Sequence, residues 1–102
     1  MITTSTTENG IVTLKPTGWL DTISSPDLGK AIDEIEEANG IVLDFDRVEY
    51  MSSAGLRQVL AAHKKAKALG ATFSVIHICP DVMTIFEMTN IDQKIDLKAK
   101  EL

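Results

Sequence analysis

Ile41-Val42-Leu43-Asp44-Phe45 and, shortly after it, Tyr50-Met51-Ser52-Ser53-Ala54-Gly55-Leu56 decide how this chain is read. The first is a short apolar run of the length and bulk that suit a buried central strand. The second places two serines and a glycine ahead of Leu56, Val59, Leu60 and Ala66. That spacing predicts a helix from about Ser53 to Leu69, stopped by Gly70, with those four side chains buried. A buried strand leading into a long helix is the repeating unit of a parallel sheet, so the flanks are searched for more of the same.

Downstream, Thr72-Phe73-Ser74-Val75-Ile76 predicts another strand, and Pro80-Asp81 opens a third helix carrying Val82, Ile85 and Phe86. From Ile91 to Leu102 a short strand or turn and a frayed helical tail are expected. Upstream, Ser24-Ser25-Pro26-Asp27 reads as a helix start, with a serine side chain as cap, Pro26 in the first turn and Asp27 at the positive helix end. Leu28, Ala31, Ile32, Ile35 and Ala38 continue at helical spacing until Asn39-Gly40 closes the helix. Ile2 to Thr6 and Ile11 to Leu14, joined through Glu8-Asn9-Gly10 and ended by Pro16, predict an opening hairpin. The expectation is a single α/β domain over 1–102, with a mainly parallel sheet of four to five strands and helices packed against it.

Composition narrows what such a domain does. The 102 residues carry 10 basic and 15 acidic side chains, a net charge of -5, which argues against binding a nucleic-acid backbone. Lys64, Lys65 and Lys67 beside Arg57 read as a solvated helix face. One cysteine, Cys79, permits no intramolecular disulfide, which suits a reducing compartment. No apolar run approaches the ~20 residues of a membrane helix, and the start Met1-Ile2-Thr3-Thr4-Ser5 lacks the pattern of a secretory signal. A cytoplasmic protein that does not insert into membranes is expected.

Sites in parallel sheets gather where strands end and helices begin. Met51-Ser52-Ser53-Ala54-Gly55-Leu56 is one such place. A serine there either caps the helix or carries a phosphate that the free N–H groups help to hold. Ala54 and Gly55 keep the turn slim, for tight packing or for the approach of a partner. Gly18-Trp19-Leu20-Asp21-Thr22 is expected at the same edge. Asp21 either orients a serine or partner or bonds its own backbone; Trp19 is an interface anchor if exposed and core if buried. His63 reads as a packing histidine. His77 and Cys79 have no metal-ligand spacing, the serines lie outside a Gly-x-Ser-x-Gly elbow, and no phosphate-cradling glycine loop is present. No enzyme activity, cofactor or metal is expected.

Three stretches in order resemble the STAS domain, in its small stand-alone form as a bacterial anti-sigma factor antagonist. They are Gly18-x-Leu20-Asp21, the run from Ile41 through Val48 and Tyr50 to Leu56, and Phe86-Glu87-Met88-Thr89-Asn90-Ile91. The resemblance spans nearly the whole chain. It implies partner switching, in which the unmodified protein binds a serine-kinase anti-sigma factor, is phosphorylated at the helix start and released, and is reset by a PP2C-type serine phosphatase. Many members carry the modified hydroxyl directly before the glycine. Here that place is Ala54, and Ser52 stands where the motif aspartate would be, although other members also read Ser-Ser-Ala-Gly-Leu. The resemblance therefore implies Ser53 as the modified residue, with Ser52 second, and a partner surface of Asp21, Thr22, Ser52, Ser53, Ala54, Gly55 and Arg57. The alternatives are a non-switching STAS subunit scaffolding a lipid-transport ATPase or signalling complex, and a module binding a nucleotide or other anion at the helix start.

Overall fold

The computed structural model describes residues 3–101. Strands β1 (Thr3–Glu8) and β2 (Ile11–Leu20) form an antiparallel hairpin whose register runs from Thr3↔Pro16 to Glu8↔Ile11. Its two-residue turn, Asn9-Gly10, has φ of 54° and 80°. Both turn positions need a positive φ to match the twist of the strands, which is why Asn-Gly stands there. Ile2, expected in the first strand, lies outside the described residues.

Pro16 does not end β2. The strand runs on to Leu20 because it changes partner: Ile11–Leu14 pair in parallel with β3 (Gly40–Asp44), and Thr17–Leu20 with β4 (Arg47–Met51). Pro16 falls between the two ladders, where its missing N–H is not needed. On the other side of β3 lie β5 (Thr72–Ile78) and then β6 (Asp96–Ala99), giving the order β1-β2-β3-β5-β6 with β4 on β2. Among the described residues the sheet thus has six strands, where four to five are expected from the sequence. Of the short strand or turn and the helical tail expected from Ile91 on, the short strand is present as β6, whose alternation of Ile95 and Leu97 with Asp96 and Lys98 is a strand period, and it stands where the helical tail was expected.

Helices α1 (Ser25–Asp33), α2 (Ser53–Leu69) and α3 (Pro80–Met88) supply the second layer. Val12 and Leu14, Ile41, Leu43 and Phe45, and Val75 are buried on the sheet face that the helices cover, and Phe45 stacks with Phe86 of α3. Thr13, Val42 and Ser74 alternate with them on the open face and are only partly buried. Residues 53–69 form the expected helix, closed by Gly70 at φ 69°. Val59 and Ala66 are buried as expected and Leu56 partly so, but Leu60 is 41% exposed because Ala62 takes the inward place.

α1 departs most from its sequence reading. It stops at Asp33, well short of Asn39-Gly40. Glu34, Glu36 and Glu37 would sit at the negative helix end, where acids are unfavourable. Asn39 is instead drawn into the sheet, its N–H bonding Gly10 O at 2.8 Å and its carbonyl accepting from Thr72 N–H at 3.0 Å. Ser24 makes no side-chain cap either. Deleting the Phe86 ring should leave a cavity under α3: Phe86→Ala is expected to lower stability by about 3–5 kcal/mol. Chemical denaturation should show a lower midpoint at unchanged slope.

Candidate functional site

The end of β2 and the start of α2 are held together by one carbonyl oxygen. Leu20 O accepts from the Ser52 N–H at 2.8 Å and from the Ser52 hydroxyl at 3.0 Å. Ser52 is the residue before the helix, with φ -90° and ψ 179°, and its Oγ accepts from the Ala54 N–H at 3.2 Å. Its hydroxyl is thus fully engaged, donating across to β2 and accepting from its own helix. Ser53, the first helical residue, is exposed, and its hydroxyl has no partner among the described residues. The two serines that sequence reading left as rivals therefore have different surroundings.

Gly55 shows why this junction is slim. A Cβ there would lie 2.7 Å from Leu20 Cβ, 2.8 Å from Leu20 O and 2.8 Å from Met51 Cγ. The glycine is buried, so the space it leaves is filled by the protein's own β2 and β4. Of the two readings of the slim turn, tight internal packing is the one seen at Gly55. Ala54 beside it is partly buried.

Asp21 follows Leu20 directly and so stands at the same junction. Its Oδ1 accepts from the Ser24 N–H at 2.9 Å, the Ile23 N–H at 3.0 Å and the Ser24 hydroxyl at 2.9 Å. The Ser24 hydroxyl also accepts from the Asp21 N–H and contacts the Trp19 carbonyl oxygen. The acid thus bonds its own turn, as an aspartate ahead of a helix commonly does. The Ser24 N–H first and then the Ser24 hydroxyl, with a smaller contribution from the Ile23 N–H, hold its carboxyl below the ordinary value of 3.8 against the opposing effect of burial. All three contacts fall on Oδ1. Thr22 is exposed in the same turn. Arg57 is exposed one helical turn beyond Ser53, with no ion pair among the described residues, and α2 carries no acid in its first turn.

Trp19 is 60% exposed, so the core alternative for it is excluded. Its ring centroid lies 5.4 Å from that of Tyr50, itself 46% exposed, its partner across the parallel β2–β4 ladder. The sequence marks Tyr50 only as part of the run into the helix and does not pair it with Trp19, nor does it mark Ser24 and Leu20 as the groups that fix Asp21 and Ser52. The sheet register and the turn geometry decide these. His63 packs beside Phe73, with ring centroids 5.6 Å apart. Among the described residues no group of histidine, cysteine or acidic side chains is placed to hold a metal, and no helix is long and apolar enough to cross a membrane.

The STAS domain family model matches residues 3–101. This chain belongs to that family. Its fold is also that of solved relatives. An anti-sigma factor antagonist from Mycobacterium paratuberculosis superposes with a TM-score of 0.86 at 23% identity, covering 95% of this chain and 84% of the other. A putative anti-sigma factor antagonist from Thermotoga maritima gives 0.87 at 21%, covering 94% and 85%. The Bacillus cell fate determinant SpoIIAA in its phosphorylated form gives 0.74 at 16%, covering 94% and 90%. Identities this low carry the fold and leave the function of this STAS domain to its own site.

Two outcomes test the junction. Gly55→Val should lower stability by about 1–3 kcal/mol, since backbone as well as side chain must move; thermal unfolding reads it. Asp21 contributes stability above the unfolded carboxylate range and loses it as pH falls through its lowered folded value. Asp21→Ala should therefore unfold at lower temperature than the parent at pH 7, with the gap closing below about pH 4. A gap constant into strong acid overturns the assignment.

Proposed function

We propose that this STAS domain is an anti-sigma factor antagonist that works by partner switching, with Ser53 as the phosphorylated residue. The observation that carries this is the division between the serines: Ser52 Oγ is bound to Leu20 O and Ala54 N–H, whereas the Ser53 hydroxyl is exposed and unpartnered among the described residues. A kinase needs a hydroxyl it can reach without dismantling the fold, and Ser53 meets that condition. The anti-sigma factor antagonists among the structural relatives support the class. In this reading the partner is a serine-kinase anti-sigma factor and the reset enzyme a PP2C-type serine phosphatase. The setting in this reading is the cytoplasm.

The physics of release follows from charge. A phosphate on Ser53 brings roughly two negative charges to the first turn of α2. The helix end and Arg57 tolerate it in the free protein, since both complement an anion. In a close-packed complex the same charges would be desolvated against the partner and beside Asp21. A loss of about 3 kcal/mol or more there is enough for a switch. The exposed Trp19–Tyr50 pair supplies apolar anchors beside the serine for the unmodified complex.

Co-expression with candidate serine-kinase anti-sigma factors, followed by peptide mass spectrometry, tests the proposal. One phosphate is expected on the peptide holding Ser52 and Ser53, absent in Ser53→Ala and retained in Ser52→Ala. Ser53→Asp should weaken kinase binding in calorimetry by about tenfold or more. Tight binding without any phosphate transfer, unaffected by Ser53→Ala, would shift the reading to the non-switching scaffold subunit.

A further inference from the structure

A second constellation lies at the carboxyl ends of β3, β5 and β6, apart from the serines. Two residues of β5, Ile76 and His77, stand opposite the single Lys98 of β6, so β5 carries a bulge. His77 within it has φ 57°, a left-handed conformation uncommon outside glycine but adopted by histidine and asparagine more readily than by most residues. Its Nδ1 lies 2.8 Å from Asp44 Oδ1, and that oxygen also accepts from the Asp46 N–H at 3.0 Å. The carboxylate of Asp44 fixes the ring: Nδ1 carries the hydrogen and Nε2 is the nitrogen left over. Bulges and unusual backbone conformations of this kind collect at binding sites, and the crevice beyond strand ends is where parallel sheets bind ligands.

The bulge opens a cleft of about 770 Å³ lined by Ile76, His77, Lys98, Lys100, Asp46 and Glu101. Its charges are partly spent on each other. Lys100 Nζ donates to Asp46 O at 2.9 Å and lies 3.4 Å from its Oδ1, an arrangement that holds the Asp46 carboxyl below its ordinary value. Lys98 has no partner among the described residues, and neither does His77 Nε2. Glu101 is the one lining acid without a counter-ion. A cation is disfavoured, because no metal-holding group of side chains exists among the described residues.

We propose that this cleft binds a small oxyanion, with Lys98 and the protonated Nε2–H of His77 as its donors and Asp44 as the positioning residue. The proposal stands independently of the phosphorylation of Ser53. Because Nδ1–H is committed to Asp44, Nε2 can donate to an anion only when the ring carries both hydrogens. The charged groups facing the ring and the bound anion are Asp44 from β3, Asp46 after it, Lys98 from β6, and Lys100 and Glu101 beyond it, with Lys15 of β2 near Asp46.

The test is a titration of the full chain followed by backbone amide NMR, with sulfate in one arm and acetate in the other. Chloride at matched ionic strength is the control. Sulfate keeps its charge between about pH 6 and pH 8, so the pH dependence reports the protein. Saturable shifts are expected at residues 76–77 and 98–100 at pH 6, weaker at pH 8. Preference for sulfate over acetate would indicate a tetrahedral oxyanion, the reverse a carboxylate. His77→Asn, which tolerates the same backbone conformation, and the exposed Lys98→Gln should each weaken binding by about tenfold, while Glu101→Gln tightens it. Shifts that fail to saturate by about 50 mM, that persist in both His77→Asn and Lys98→Gln, or that centre on residues 52–57 overturn the proposal.

Discussion

The first turn of α2 touches the end of β2 with no side chain between them, and the rest of the site depends on that approach. Gly55 permits it, since any Cβ there would meet Leu20 and Met51 within 2.8 Å. Once the helix is that close, the Leu20 carbonyl oxygen is in reach of Ser52, and it takes both the N–H and the hydroxyl. With Ser52 turned inward to cap and cross-link, the next residue, Ser53, faces solvent. The exposure of one serine thus follows from the burial of a glycine two residues away.

That chain of causes explains what could and could not be read in advance. α2 was legible to the residue because its apolar spacing, its serine start and Gly70 all point the same way. β2 was cut short at Pro16 because a proline usually ends a strand, and nothing local reveals that the strand changes partners there. α1 was drawn too long for a similar reason. Ile35 and Ala38 keep a helical period, but Asn39 is claimed by Gly10 and Thr72, contacts distant in sequence. Between Ile91 and Leu102 the sequence predicts a short strand or turn before a helical tail, and the structure has a helical turn first and the strand β6 after it; four alternating residues are too few to fix that order locally. Non-local pairing won each time over a local signal.

The candidate site divides in the same way. Asp21, Ser52, Ser53 and Gly55 were legible as residues, because serine, glycine and aspartate at a strand–helix junction have few ordinary uses. Their individual roles were not. Whether Asp21 holds its own turn or faces outward depends on Ser24, and which serine is spent on capping depends on the Leu20 carbonyl. Likewise the exposure of Trp19 is settled by sheet register, which pairs it with Tyr50 away from the helices. Residue type locates such a site, and hydrogen bonding across the fold assigns the work within it.

The two proposals place two kinds of anion chemistry at separate points of one small domain. At Ser53 a negative charge would be attached covalently to an exposed helix start, where the free protein accommodates it and a docked partner would not. At His77 the donors come from the ends of β5 and β6, and the carboxylate of Asp44 orients the ring from a neighbouring strand. The first arrangement leaves the fold nearly indifferent to the charge, which is what a modification read by a partner requires. The second uses an uncommon left-handed backbone and a bulge to present one imidazole. If both proposals hold, the domain would keep two recognitions apart, one at the end of β4 and one at the ends of β5 and β6.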